Sequence, residues 1–455
     1  MSSEAGSFRG QVKRSSSLLA LRFASNAGLR LVSTVVLSRL LAPEVYGVFA
    51  IVLVYMYVLE MLSDFGLRPL ILTREGEVSE EFLKTCWTFS ILRGLLILVV
   101  SVLLGAAFAV AQSMNVFSID SAYSAQELPY AIAALGVGML IFGFGSPHRF
   151  MSERAMAFGR VTAVDVARNL ITLVITIGLA LYLRSVWALV LGQLVRSSVH
   201  VALSFLVFSG PRLGLCLHRQ SAKIMIDRGK WVLGESALTV VSQSFDRIFL
   251  GFVMNSTTFG FYYIARQLAE LVPQFLQALN GAMILQVFKK LHQSTPEQFR
   301  RNYYRYRLVL DTVAGLVVGG MVILAPLFVE IVFDDRYAGV APIMQVLALG
   351  LLLFGALVLR SAFTAQQRFD VSTKLSVLSA ISLIVGLSFA TFAVSSVELV
   401  VCVVALHRLP EAILIVIAGR REGWVVLWRE TLVFGVFGFG MLLSYGVLLL
   451  WRGFF

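Results

Sequence analysis

The sequence predicts an all-α integral membrane protein of about thirteen transmembrane helices, built from two similar halves around a cavity. Three observations carry this prediction. First, 58% of the 455 residues are hydrophobic and only 14% are charged, with a mean hydropathy of +0.84. Charged residues make up about a quarter of an ordinary soluble chain. A soluble protein of this length would need polar residues for the surfaces of several domains, and this composition cannot cover them. Disordered, collagen-like and disulfide-scaffold classes are excluded with it. Second, the apolar residues are gathered into blocks. Third, the two halves resemble each other at an offset of 213 residues.

Spanning the hydrocarbon core takes roughly 20 apolar residues as a helix. Thirteen blocks meet that need: 18–41, 45–65, 83–111, 128–146, 156–183, 186–208, 231–254, 258–288, 308–333, 341–365, 375–394, 397–418 and 431–451. They are too long and continuous for barrel strands of about 10 alternating residues. Backbone groups in lipid must be satisfied within the segment, so the blocks read as helices. The first block is no cleaved signal, because Arg22, Asn26 and Arg30 interrupt its apolar core.

Basic residues orient the chain. Of 38 Lys and Arg, 25 fall on the side that carries the N-terminus, 3 on the opposite side and 10 inside the blocks. Such asymmetry places the N-terminus in the cytoplasm and, with thirteen spans, the C-terminus outside. It also accounts for the net charge of +12 without any nucleic-acid partner. The loops are short; the longest outer one, about 112–127, contains no Lys or Arg. None could fold into a domain, so function is expected within the membrane.

Much familiar chemistry is missing. There is no phosphate-binding G-x-x-x-x-G-K-[ST] loop and no H-E-x-x-H zinc motif. Cys86, Cys216 and Cys402 have no metal or disulfide spacing and read as core residues. The outer acidic pair Asp334–Asp335 reads as two solvated carboxylates at a helix end. No metal site and no catalytic residue is expected.

Ionisable residues inside spans are costly and mark function. At 100° per residue, Arg22, Asn26, Ser33 and Arg30 fall within roughly 80° on one face of the first block. Glu235, Thr239, Ser242 and Asp246 form a similar stripe on the seventh. These stripes suggest two walls of a water-filled cavity, with helix-to-helix bonding as the bland alternative. Arg168 has Asp165 at i−3, Arg266 has Glu270 at i+4, and Arg408 has Glu411 at i+3. Each could be a neutralised pair. Arg196 lies mid-span with no local partner, while Arg39, Arg93, Arg247 and Arg360 are near enough to span ends to snorkel. An excess of arginine in a lumen favours an anionic ligand, since the guanidinium fork suits phosphate oxygens.

The 213-residue offset places Gly47 on Gly260, Arg22 on Glu235, Asn26 on Thr239 and Ser33 on Asp246. Both halves begin with a span of the same direction, so the repeat is parallel, with its axis along the membrane normal. Pro273, Pro326 and Pro410 are candidate bending points.

Several motifs resemble one family. Arg39-Leu40-Leu41-Ala42-Pro43-Glu44-Val45-Tyr46-Gly47-Val48-Phe49-Ala50 resembles the R-L-L-x-P-x-x-Y-G-x-F-A first hairpin of bacterial polysaccharide-synthesis flippases. Asp64-Phe65-Gly66-Leu67 resembles the D-x-G-L that closes their second span. Asp246-Arg247-Ile248-Phe249-Leu250-Gly251 followed by Phe259-Gly260-Phe261-Tyr262-Tyr263-Ile264-Ala265, and then Phe333-Asp334-Asp335-Arg336-Tyr337, are similar to later motifs of that family. The resemblance implies the polysaccharide branch of the multidrug/oligosaccharidyl-lipid/polysaccharide exporter superfamily. It implies two six-helix lobes around a central cavity, with a thirteenth helix as a departure from the usual twelve or fourteen.

On that plan, 1–17 is a cytoplasmic segment, 18–209 the N-terminal lobe and 210–230 a basic cytoplasmic linker. The C-terminal lobe is 231–418, and 419–455 is a cytoplasmic loop plus an additional helix. The implied function is translocation of a polyprenyl-diphosphate-linked oligosaccharide from the inner to the outer leaflet of the bacterial cytoplasmic membrane. Arg22, Asn26, Arg30 and Arg266 are the substrate-binding candidates, with Arg168, Arg196 and Arg408 as secondary ones. Glu235 and Asp246 either bind a coupling proton or sodium ion or pair with the lumen arginines. No cofactor is implied. The expected partners are the lipid-linked saccharide, membrane lipids and a polysaccharide polymerase with its export machinery; the chain itself is expected to act as a monomer. The alternatives are a drug or metabolite exporter, a lipid-linked peptidoglycan-precursor flippase and, from another class, a polyprenyl-sugar polymerase or ligase.

Overall fold

The computed structural model describes residues 25–74, 76–118, 121–276, 295–365, 368–394 and 396–454. Regular structure among these residues is helical throughout. The long elements are α1 (25–40), α2 (Pro43–Leu62), α3 (Leu67–Leu72), α4 (Glu80–Ser113), α5 (Leu128–Gly143) and α6 (His148–Arg154). They continue with α7 (Phe158–Leu183), α8 (Val186–Val207), α9 (Arg219–Val253) and α10 (Ser256–Ala269). The rest are α11 (Pro296–Val332), α12 (Val340–Phe363), α13 (Phe369–Phe389), α14 (Val397–Leu406), α15 (Leu409–Arg421) and α16 (Leu432–Phe454).

Local sequence explains where helices begin. Ser79, Thr295 and Ser396 accept the backbone N–H three residues on, and acidic residues fill the first turns of α4, α11 and α14. Side-chain oxygens satisfy orphan amides there, and the carboxylates suit the positive end of the helix dipole. The Asp64-Phe65-Gly66-Leu67 motif is a turn. Asp64 Oδ1 accepts the Gly66 amide at 2.9 Å, and Gly66 sits at φ +66°, a conformation that favours glycine.

Among the described residues, nine helices are long and apolar enough to cross a membrane, and α5 with α6, bent by 64°, makes a tenth. The first, seventh and eighth blocks fall short of that test among the described residues. Helix α1 is described only from residue 25, and α10 is followed by the undescribed 277–294. The third, α9, is long but carries the seventh block's polar stripe. Chains of this composition form a multi-pass membrane protein.

The chain divides into two compact units, up to Gly260 and from Phe261 onward. In the first unit, α4 packs along α5, α7 along α8, and α2 against α9. The repeat assigns α9 to the second half, yet it is fastened to the first unit. The loop after α4 docks on its end: the Ala122 amide donates to the Met254 carbonyl, Ser121 to Gly251, and the Tyr123 hydroxyl to Ile248. Tyr123 is fully buried in a stack of Tyr55, Phe108, Phe117 and Phe252. At the other end, Met225 joins Leu67, Leu70, Ile71 and Phe82 in a core cluster. Helix α9 therefore starts at Arg219, inside the segment expected to be a linker.

The repeat is visible as reciprocal contacts within this unit. The Thr257 hydroxyl donates to Glu44 at 2.7 Å, and these residues are 213 apart. A Cβ at Gly47 would strike the Ser256 carbonyl, and a Cβ at Gly260 would strike that of Pro43. Residues 43 and 256, like 47 and 260, are repeat equivalents. Each hairpin turn thus seats on the glycine of the other, the geometry of a local two-fold axis.

In the second unit, α11 packs along α16 and against α12, and α13 and α15 pack together. The thirteenth helix is an integral part of it. A Cβ at Gly319 would lie 2.6 Å from the Met441 amide nitrogen, so α11 and α16 touch backbone to backbone. Ahead of α16, Arg307 pairs with Asp311 at 2.9 Å and with Glu430, while Tyr303 and Tyr304 complete the knot by hydrogen bonds at 3.1 and 2.8 Å.

Candidate substrate-binding arginines

In the first unit a polar chain crosses five helices. The Asn169 amide on α7 donates to Asn26 on α1 at 2.7 Å. Asn169 in turn accepts from Arg168, whose guanidinium also lies 3.4 Å from Asp165 and 3.5 Å from His200 Nδ1. Asp165 is 1% exposed and takes a second arginine, Arg149, at 2.9 Å. Arg149 leans on Glu153, which is held by Arg68 at 2.8 Å. The bend after α5 makes this possible. Gly145-Ser146-Pro147 breaks the span, and α6 then carries Arg149 beneath α7.

Arg196 on α8 behaves differently. It is exposed, and it stands within electrostatic range of Asp165 and Glu60. Its guanidinium makes no hydrogen bond or ion pair among the described residues. Arg30 is half-buried on α1; its carbonyl accepts the Thr34 hydroxyl at 2.9 Å, and its guanidinium has no ion pair among the described residues. Arg93, expected to snorkel, instead ties α4 to the end of α2 through Ser63 at 3.1 Å and the Glu60 carbonyl at 2.7 Å.

The second unit holds a matching group. Arg266 on α10 reaches Glu270 at 2.9 Å and the Tyr262 hydroxyl at 2.8 Å. Glu411, 3% exposed at its side chain, pairs with Arg360 at 3.2 Å. Arg360 also donates to Ser376. This corrects the expectation that Arg360 only snorkels and that Arg408 holds Glu411. Arg408 lies at the break between α14 and α15, exposed, within electrostatic range of Glu411, Arg360 and Arg266, and forms no ion pair among the described residues.

The structure therefore joins Asn26 with Arg168 and Arg196, and Arg266 with Arg408. No hydrogen bond or ion pair links the Arg30 guanidinium to the first of these groups among the described residues. Arg22 lies outside the described residues, as does the side chain of Glu235; Asp246 is buried on α9. The local pairs Arg168–Asp165 and Arg266–Glu270 form at the expected spacing. Sequence reasoning missed Arg149, Asn169, His200 and Arg360 as members. Arg149 carried one signal, the glycine and proline just before it, which place a bend at the end of an apolar block. Asp334 closes a turn on the Arg336 amide at 3.1 Å and pairs with its guanidinium, both side chains exposed at a helix end. The cysteines are free, and no three metal-ligating side chains converge among the described residues.

Comparison with known proteins adds the context. Residues 36–342 match the model of a family described as polysaccharide biosynthesis protein. The lipopolysaccharide biosynthesis protein WzxC of Escherichia coli (strain K12) is 24% identical over 77% of this chain and 69% of its own. An uncharacterised membrane protein in the cps region of Klebsiella pneumoniae is 22% identical over 78% of this chain and 72% of its own. Among solved structures, the lipid II flippase MurJ in an inward closed conformation superposes with a TM-score of 0.69, covering 95% of this chain and 98% of its own at 10% identity. An inward-facing multidrug resistance MATE family transporter of the MOP superfamily gives 0.66 at 14% identity, over 90% of this chain and 94% of its own. At such identities the two structures establish a shared fold.

Proposed function

The chain belongs to the polysaccharide biosynthesis protein family, and from that membership we propose that it is a flippase for a polyprenyl-diphosphate-linked saccharide repeat unit in the bacterial cytoplasmic membrane. The single observation that carries this reading is Arg30, a half-buried arginine near the middle of a span with no ion-pair partner among the described residues. An arginine placed in the hydrocarbon region and left uncompensated is costly. A ligand's negative charge removes that cost while it is bound. A diphosphate supplies the charge, and the guanidinium fork matches its oxygens. In this reading Arg22, Arg30 and Arg266 receive the diphosphate, and Asn26 helps to present the sugars with hydrogen-bond partners.

The rest of the mechanism follows from the same charges. The basic loops hold the N-terminus in the cytoplasm, so substrate enters from the inner leaflet. The two lobes alternate between inward-open and outward-open states, and no covalent bond changes. Glu235 and Asp246 are the candidates for a coupling proton or sodium ion. The lipid tail stays in hydrocarbon throughout. A cation-exporting reading would call for an acid-led lumen, and the stripe on α1 is led by arginine.

The test is reconstitution. Purified protein in liposomes is expected to move a polyprenyl-diphosphate sugar to the far leaflet, and the Arg30→Ala variant is expected to lose that activity while inserting normally. Transport at the wild-type rate by Arg30→Ala would overturn the site, and no transport by the wild type of any such lipid would overturn the function.

A further inference from the structure

The two arginine groups are repeat-related, although neither lies in the hairpins through which the repeat is first visible. Arg149 and Arg360 are 211 residues apart, as are Asp165 and Ser376, and His200 and Glu411. The contacts correspond too. Arg149 reaches Asp165 on the helix that follows it, and Arg360 reaches Ser376 on the helix that follows it. On the next span, His200 lies within electrostatic range of Arg149, and Glu411 pairs with Arg360. Arg196 and Arg408 are 212 apart, and both are exposed with no hydrogen bond or ion pair from their guanidinium among the described residues.

Depth and charge correspond as well. At about 1.5 Å per residue, Arg196 lies about 17 Å from the end of α8, and Arg408 about 20 Å from the end of α15. Both are therefore near the middle of a hydrocarbon core roughly 30 Å thick. In the first unit Arg68, Arg93, Arg149, Arg168 and Arg196 face Glu60, Asp64, Glu153 and Asp165, so one cation is in excess. In the second, Arg266, Arg360 and Arg408 face Glu270 and Glu411, again with one in excess. Packing alone does not call for the same unneutralised charge at the same place in both halves. The paired arginines fix the carboxylates, and the carboxylates fix the frame around the unpaired guanidinium. This is how a preorganised anion site is built.

We propose that each unit carries its own oxyanion station, centred on Arg196 in one and on Arg408 in the other, and that its ligand is a phosphate group of the lipid-linked substrate. The proposal rests on the flippase reading and deepens it. Arg30 is then one of three places where phosphate is held during passage, and each half supplies one station independently of the other. Because each guanidinium is exposed and unpaired, its replacement removes binding without breaking an ion pair.

Direct binding to the full-length protein in detergent micelles tests this, with farnesyl diphosphate as probe. Arg196→Gln and Arg408→Gln are each expected to weaken binding about tenfold or to remove one bound equivalent, and the double variant is expected to lose both. Arg196→Lys and Arg408→Lys are expected to restore part of it, which also serves should a Gln variant fail to fold. Wild-type affinity and stoichiometry in both Gln variants would overturn the proposal. Competition identifies the source of the phosphate. Displacement by inorganic pyrophosphate shows that the free anion suffices, and displacement only by phosphatidylglycerol vesicles shows that a lipid headgroup is needed. Displacement by neither overturns the oxyanion chemistry. Wild-type protein that binds farnesyl diphosphate at both stations but moves no lipid-linked sugar in liposomes would sink the flippase reading and leave the stations standing. Transport that persists with unchanged binding in the Gln variants would do the reverse.

Discussion

Arg307 on α11 and Arg30 on α1 are the same residue type, and they are treated in opposite ways. Arg307 is 2% exposed, holds Asp311 and Glu430 and takes the Tyr303 hydroxyl. Arg30 has neither carboxylate nor phenol at its guanidinium among the described residues. One is a fastening that brings the chain ahead of α16 onto α11. The other keeps its charge available. Desolvated charge is tolerable when its partners are built in, and where they are not, a ligand is the remaining way to supply them. Helical spacing alone does not separate the two cases, because both arginines have polar neighbours on their helix face, although Arg30 lies within its apolar block and Arg307 just ahead of its own.

The comparison can be broken by experiment. The largest effect is expected at Arg307→Ala, which leaves the buried Asp311 and the half-buried Glu430 without their cation. A destabilisation of about 3–5 kcal/mol follows, read as a lowered melting temperature or loss of folded protein in detergent. An Arg307→Ala protein as stable as wild type would end the fastening role. Next comes Gly47→Ala, whose Cβ meets the Ser256 carbonyl. About 3 kcal/mol is expected for forced overpacking, and Gly260→Ala should behave alike, since the two contacts are reciprocal. Unequal effects in thermal unfolding would argue against a local two-fold.

Smaller effects sharpen the contrast. Tyr123→Phe removes the hydrogen bond to the Ile248 carbonyl but keeps the aromatic stack. A loss of about 1–2 kcal/mol is expected, with faster amide hydrogen exchange at the end of α9 as the local readout. The smallest stability effect belongs to Arg30→Ala, within about 0.5 kcal/mol, because no built-in partner is lost. Its effect on transport is expected to be complete. Stability and transport thus rank Arg307 and Arg30 in opposite orders, and a variant of Arg30 that unfolds the protein would erase the distinction.

How far the site was legible depends on the range of each contact. Arg168–Asp165 and Arg266–Glu270 are one helical turn apart, so spacing alone predicts them. Asn26–Asn169 spans 143 residues, and Arg360–Glu411 spans 51. No local pattern announces such pairs. For Arg408, the nearby Glu411 suggested a partner that tertiary packing gave to Arg360 instead. The arginine left without a partner is the more informative of the two, and only the fold identifies it.

By itself the sequence determined that lipid is the solvent, that the spans are helices, and that the two halves repeat. These follow from composition and periodicity, which act locally and at every position alike. Tertiary structure decided which half holds α9, how the thirteenth helix is fastened, and which arginines are neutralised. Those outcomes depend on side chains far apart in the chain meeting at a few ångströms, and a buried charge is settled by its neighbours in space rather than by its neighbours in sequence.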